Sequence, residues 1–508
     1  MNLLSATSVF SFYTLISRLL GYVRDILIAF FLGATILADA FFVAFRLPST
    51  FRRLFAEGTF NAAFIPSYSG EKILNKKKGK RFADDVLSLL MITLFFLILI
   101  VEIFTPYFVF LIAPGFLENS EKFNLAVEFT RITFPFLFFV SISSFFSGIL
   151  NTNNKFAAAA AAPIILNIIL ILSLFISYLF DLNFAKNLSY GVTLAGLIQL
   201  VFLIFFTKKY YKPSIKLKIK ITSKVRIFLK KLLPSIFSSG VTQINILIGT
   251  IIASFEAGAV SYLYYADRIY QINLAIAGIA IGTVSLPALS ESIKKKNLLK
   301  TLKIQNKSIE LSLLLSIPAS LGLIIASEEI VNALFGYGSF SENNILMTAQ
   351  ALKFFGYGIP AFALIKVLSN LFFARNDTQT PFYLSIFIVL LNVTISLSFF
   401  KIIGFVIIPI ATSFSTWAGV IAYTILLKKY DYLILEKKIL FNIFKIILST
   451  LLMSVMLFYS LEFFSENLRY MNKFKSIYLF FIVSSAATIY LVSCYLLGVL
   501  KIKNYKTN

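Results

Sequence analysis

The stretch IYLFFIVSSAATIYLVSCYLLGVL, residues 477–500, contains no charged side chain. At about 1.5 Å of rise per residue, a helix of that length outreaches the roughly 30 Å hydrocarbon core of a bilayer. Comparable runs lie at Ala157 to Phe180, Leu311 to Ala326 and Phe382 to Phe400, with another at Val86 to Ile112 broken only by Glu102. Lipid cannot hydrogen-bond a backbone, so such runs close their own amide pairs as helices and not as open sheets. The composition agrees: 58% of the 508 residues are hydrophobic, where soluble domains hold about 45–50%, and the mean hydropathy is +0.86. No polar stretch is long enough to bury a core of its own.

Taking about 20 apolar residues per span, the pattern predicts an all-α integral membrane protein of about fourteen transmembrane helices. They fall near 5–31, 34–68, 82–113, 125–151, 157–180, 187–207, 225–256, 259–291, 302–326, 344–374, 381–401, 404–428, 439–461 and 475–500. The second and eighth are too long for one straight span, and Pro48 and Pro287 are expected to bend or stop them. Alternate loops differ in charge. One set holds Lys76-Lys77-Lys78, Lys208 to Lys231, Lys294-Lys295-Lys296 and Lys428-Lys429. The other carries Glu118 and Glu121, then Glu328, Glu329 and Glu342. Lysine-rich loops stay in the cytoplasm, so both termini are expected there.

A weak internal repeat accompanies this alternation. Phe64-Ile65-Pro66-Ser67 and Ser285-Leu286-Pro287-Ala288 close the second and eighth spans, and Gly33-Ala34 and Gly258-Ala259 open them. Leu166-Asn167-Ile168 and Leu391-Asn392-Val393 match at an offset of about 225 residues, the mark of paired halves with a substrate site between them. The expected division is an N-terminal lobe over 1–224 (helices 1–6), a C-terminal lobe over 225–430 (helices 7–12) and two extra helices in 431–508.

The formal net charge of +24 is spread in short loop clusters between spans, which argues for the membrane and against a nucleic-acid partner. With no histidine and Cys494 alone, imidazole relays, histidine metal ligands and intrachain disulfides are excluded. No cofactor or metal site is expected, and no cleavable signal pattern opens the chain.

Charges inside spans cost about 2.5–3.5 kcal/mol each even on a lenient insertion scale. The first half is nonetheless rich in them: Arg18, Arg24, Asp25, Asp39, Arg46, Arg52, Arg53 and Glu57, with Asp267 and Arg268 in the second half. Helical spacing puts Ser17, Gly21 and Arg24 on one face, and Asp39 with Arg46 on another. Arg53 and Glu57 form an i,i+4 pair. Internal pairing or snorkelling suits Arg53, Glu57 and Asp25. Arginines outnumber acids in the set, however, and a guanidinium fork matches phosphate oxygens two at a time. A cavity carrying several of them reads as a phosphate or pyrophosphate receiver. No Walker motif, metal cluster or nucleophile–base pair accompanies it, so an enzyme is not expected.

At these residues the chain resembles the MurJ (MviN) family of lipid II flippases, within the MOP exporter superfamily. The matching text is Ser17-Arg18-Leu19-Leu20-Gly21 with Arg24-Asp25, Ala38 to Ala44, Leu47-Pro48, and Arg52-Arg53-Leu54-Phe55-Ala56-Glu57-Gly58. It continues at Ala63-Phe64-Ile65-Pro66, Ile149-Leu150-Asn151-Thr152, Tyr264-Tyr265-Ala266-Asp267-Arg268 and Gly282-Thr283 to Leu286-Pro287. The resemblance implies two six-helix lobes around a central cavity and a last helix pair lining a groove for a polyprenyl tail. It further implies that Arg18, Arg24, Arg52 and Arg268 receive the pyrophosphate and head group of lipid II. Ser17, Asp25, Asp39, Arg53, Glu57 and Asp267 are then supporting groups or counter-ions. The implied setting is the bacterial inner membrane, in peptidoglycan biosynthesis, with lipid II, membrane lipids and the cell-wall synthesis machinery as partners.

Two departures from the family pattern stand out. The proline common after the Asn-Thr turn is Ala158 here, although Pro163 remains. The seventh and eleventh spans offer Asn245 and Asn392 at their middles and no carboxylate, with Glu256 and Asp377 only at or beyond their ends. Direct sodium coupling is therefore disfavoured against coupling to membrane potential or protons. The alternative cargo is that of a polysaccharide-repeat flippase or multidrug exporter of the same superfamily. A scaffold without transport would leave the intramembrane arginines unexplained.

Overall fold

The computed structural model describes residues 3–55, 59–214 and 221–500. Over these the regular structure is all helical. In chain order the helices are α1 (Leu3–Leu32), α2 (Ile36–Phe55), α3 (Thr59–Leu74), α4 (Lys76–Ile103), α5 (Thr105–Ile112), α6 (Ser120–Thr133) and α7 (Phe136–Thr152). Then come α8 (Phe156–Leu179), α9 (Phe184–Thr207), α10 (Ser223–Ala253), α11 (Ala259–Leu274), α12 (Ala280–Lys294), α13 (Leu298–Ile325) and α14 (Ser327–Phe335). The last are α15 (Glu342–Phe373), α16 (Gln379–Ile403), α17 (Ile407–Lys429), α18 (Lys437–Phe463) and α19 (Lys475–Leu496).

Among the described residues each of the fourteen expected spans carries helix, and the third, fourth and eighth are interrupted. Pro106 opens α5 after a break at Phe104, and Pro135 stands between α6 and α7. A proline lacks the N–H that would carry a helix through, yet suits the first turn of a new one. Of the two outcomes expected at Pro48 and Pro287, a bend or a stop, neither proline stops its helix, since both lie inside one. The eighth span carries a wide π turn at Ala275–Ile279, ahead of Pro287. Gly278 in that turn packs closely on α15: a Cβ there would come within 3.2 Å of the Ala363 backbone. By length and composition, ten helical stretches among the described residues are able to cross a membrane, one of them the 51-residue stretch Gln379–Lys429.

The chain forms two compact units, Met1–Ser261 and Tyr262–Asn508. In the first, α1 packs on α8, α8 and α7 on α9, α2 on α6, and α10 on α2 and α3. Phe60, Phe64, Tyr68, Phe82, Phe145 and Phe228 cluster where α3, α4, α7 and α10 meet. In the second unit α15 lies against α13 and α17, α16 against α17, and α18 against α13 and α19.

The repeat leaves a backbone signature. Left-handed residues recur in pairs: Gly33 with Gly258, Asn154 with Asn376, and Asp181 with Gly404. Each pair is separated by roughly the 225 residues that relate the two halves. Gly33 and Gly258, at φ of 60° and 79°, turn the chain into α2 and α11, where a side chain would be strained.

Candidate functional site

Arg24 and Asp25 lie on the buried face of α1 with Ile28, Ala29 and Leu32. The Arg24 guanidinium closes on its neighbour, with Nε donating to Asp25 Oδ1 at 2.9 Å and Nη2 donating to the same oxygen at 2.6 Å. Nη1 donates to Asn167 Oδ1 on α8 at 2.8 Å. The other end of Asn167 is also engaged, since its Nδ2 donates to the Ser17 carbonyl at 2.8 Å. Gly21 faces this crossing, and a Cβ there would rest in ordinary contact with Asn167 at 3.6 Å. The expectation of arginines without protein partners is thereby corrected for Arg24, which is ion-paired and oriented. A buried cation is tolerable only when compensated in this way. The three bonds use three of the five N–H donors of a guanidinium, and two remain for an incoming acceptor.

Arg18, six residues earlier, is exposed, and Ser17 is half-buried. Arg52 and Arg53 are half-buried in the last turn of α2. Glu57, the expected partner of Arg53, lies outside the described residues.

Asp39 occupies the first turn of α2 and is wholly buried. Its carboxylate pairs with Lys122 Nζ at 2.5 Å. It also accepts from the backbone N–H of Gly258 and of Ser261, each at 2.9 Å, and from the Ser261 hydroxyl at 2.6 Å. Those amides are the start of α11, so Asp39 supplies the anion that a helix N-terminus attracts. Lys122 is delivered by a local cap: the Asn119 side chain accepts from the Lys122 N–H and starts α6. Its ammonium lies 4.1 Å from the Phe116 ring. Nearby, the Gly115 N–H donates to Ser254 Oγ at 3.0 Å. A Cβ on Gly115 would stand 2.5 Å from the Phe255 backbone, so only glycine permits that approach. Asp39 is thus part of a closed latch joining α2, α6 and the entry to α11.

In the second unit, Asp267 and Arg268 are adjacent in sequence but turn to different partners. Gln271 Nε2 donates to Asp267 Oδ2 at 2.5 Å. Arg268 Nη2 donates to the Tyr264 hydroxyl at 3.0 Å, with the guanidinium carbon 4.5 Å from that ring. Tyr264 thus orients the fork by a hydrogen bond and a cation–π contact.

Three functional residues carry little signal in the sequence. Lys122 lies beside Glu118 and Glu121, in a segment whose acids hide it. Asn167 was visible as half of a repeated Asn, without its role as Arg24's partner. Lys366, alone in the apolar end of α15, was a charge inside a span and could have been found by that criterion. At the sodium question, Asp377 accepts from the N–H groups of Gln379 and Thr380 at the start of α16, a structural cap. Asn392 is buried and donates to Thr412 Oγ1 at 3.3 Å.

Comparison with known proteins places these residues in context. A family model described as "Lipid II flippase MurJ" matches residues 28–479. A Rhizobium tropici protein named "Probable lipid II flippase MurJ" is 39% identical over 429 residues, covering 83% of this chain and 80% of that protein. A solved structure titled "Lipid II flippase MurJ, inward closed conformation" superposes with a TM-score of 0.82 at 25% identity, over 96% of this chain and 98% of that one. A multidrug resistance MATE family transporter of the MOP superfamily, inward-facing, has a TM-score of 0.59 at 16% identity, over 80% of this chain and 98% of that one. At that identity the likeness is one of fold alone.

Proposed function

We infer the function of this chain from one premise: it belongs to the MurJ family of lipid II flippases. It is a multi-pass protein of the bacterial inner membrane, and it moves lipid II from the cytoplasmic to the periplasmic leaflet without covalent chemistry. The observation that carries this is the family match along residues 28–479.

The mechanism is alternating access between two lobes, residues 1–224 and 225–430, with 431–508 lining the path of the polyprenyl tail. Arg24, Arg52 and Arg268, with Arg18 beside the entry, hold the pyrophosphate. Support comes from the Arg24 set, whose orientation is fixed by Asp25 and Asn167 while two N–H groups stay available. Arg268 is oriented by the Tyr264 hydroxyl and ring, and its planar fork suits phosphate oxygens. The latch around Asp39 closes the end of the path beside the start of α6, and its opening accompanies release. A cationic cavity responds to membrane potential at about 2.3 kcal/mol per charge per 100 mV.

The excess of arginine favours an anionic lipid-linked cargo over the cationic cargo of a drug exporter. The test is complementation: this chain, expressed in a bacterium depleted of its own lipid II flippase, restores growth. Normal membrane levels of the protein with no rescue would rule out this cargo.

A further inference from the structure

Lys366 is a charge that the described mechanism does not use. It lies within α15, where Ala361, Ala363 and residues 367–372 are buried, yet Lys366 itself is exposed. Among the described residues no carboxylate comes within ion-pair distance of its ammonium, and the nearest recorded partner is the Phe362 ring, 5.3 Å from Nζ. Its root is held firmly. A Cβ on Gly282 of α12 would touch the Lys366 Cβ and carbonyl oxygen at 3.5 Å. On the same seam Asn370 Nδ2 donates to the Gly282 carbonyl at 2.6 Å and to Ser285 Oγ at 3.0 Å. The backbone is therefore pinned by polar bonds while the tip carries an uncompensated charge.

A lone ammonium inside a span costs about 2.5–3.5 kcal/mol unless water or an anion meets it. Along α11, the π turn and α12, Arg268 and Gly282 stand about 20 Å apart at helical rise. Gly282, and with it Lys366, is the nearer to the lysine cluster Lys294-Lys295-Lys296, the end expected to face the cytoplasm. We propose that Lys366 is a second phosphate-binding station, engaging the phosphate groups of the lipid-linked cargo on entry, before Arg268 takes them. This rests on the lipid II reading above. A lysine suits an entry point: it offers one point charge and no fork, so it attracts a phosphate without gripping it bidentately. The same chemistry would serve the headgroup of an ordinary anionic phospholipid, and the test separates the two.

The test uses the full chain in nanodiscs of zwitterionic lipid, with lipid II and phosphatidylglycerol as probes. Lys366→Gln weakens lipid II binding about tenfold, equivalent to about 1.4 kcal/mol, leaves phosphatidylglycerol retention unchanged, and is largely rescued by Lys366→Arg. Arg268→Gln is measured beside it. Loss of lipid II binding in Arg268→Gln but not in Lys366→Gln overturns the second station and leaves the cargo reading intact. No loss in either overturns both. Loss of phosphatidylglycerol alone in Lys366→Gln assigns the lysine to bulk lipid and overturns the proposal. Independently of binding strength, Lys366→Cys in a Cys494→Ser background reacts with a membrane-impermeant cationic thiol reagent, and lipid II slows the reaction. A thiol that never reacts faces lipid, and the station does not exist.

Discussion

Arg24 and Asn167 meet across α1 and α8, with Nη1 donating to Oδ1 at 2.8 Å, and this contact fixes the direction of a guanidinium whose other bonds go to Asp25. Asn167→Ala frees that edge and leaves the Ser17 carbonyl without its donor, at a stability cost of about 1–3 kcal/mol. Asn167→Asp places a second carboxylate where the cargo phosphate would compete for the same donors. The expected order in complementation is wild type, then Ala, then Asp, with protein levels followed by blot. An Asp variant as active as wild type would show that Arg24 does not receive an anion.

The latch makes a stability prediction. Asp39→Ala strands the buried Lys122 ammonium and the amides of Gly258 and Ser261, and removing one partner of a buried pair costs about 3–5 kcal/mol. The purified variant melts well below wild type in detergent. Adding Lys122→Met recovers part of the loss, since the stranded charge is gone. A double variant no better than Asp39→Ala would place the cost in the helix N-terminus and not in the ion pair.

Bidentate recognition predicts that charge alone is insufficient. Arg52→Lys and Arg268→Lys keep the cation but lose the fork, so both impair flipping markedly while inserting normally, and the Ala variants abolish it. Arg53→Ala is mild. Complementation of a depleted strain gives the readout: full activity of both Lys variants would reduce the requirement to charge.

Lysine placement predicts that both termini are cytoplasmic. A reporter fused after Asn508 that requires the cytoplasm is active, and one that requires export is silent. The reverse pattern contradicts a cytoplasmic C-terminus, and with it the fourteen-span arrangement with both termini inside.

Much of the fold was legible because membrane spans announce themselves by length and apolarity, as residues 477–500 do. The broken spans were harder. Pro106 and Pro135 begin new helices whereas Pro48 and Pro287 lie within helices, and only packing distinguishes the two cases. At the site, residue types were readable and partnerships were not. Arg24 and Asp25 are neighbours in sequence, but the Asn167 that completes their set lies 143 residues away. Asp39 finds its cation 83 residues on, in a segment that reads as an acidic loop. A guanidinium in a span implies an anion, and the sequence alone does not say whether the protein or the cargo supplies it.

The central claim is that this chain moves lipid II between leaflets, and the most direct measurement reads which leaflet holds it. In cells depleted of other flippases and sustained by this chain, a lipid II-cleaving enzyme that cannot cross the inner membrane is added from outside. The account predicts that lipid II is cleaved while this chain is present, and that it accumulates intact once the chain is shut off. Cleavage that continues unchanged after the chain is lost would contradict the account.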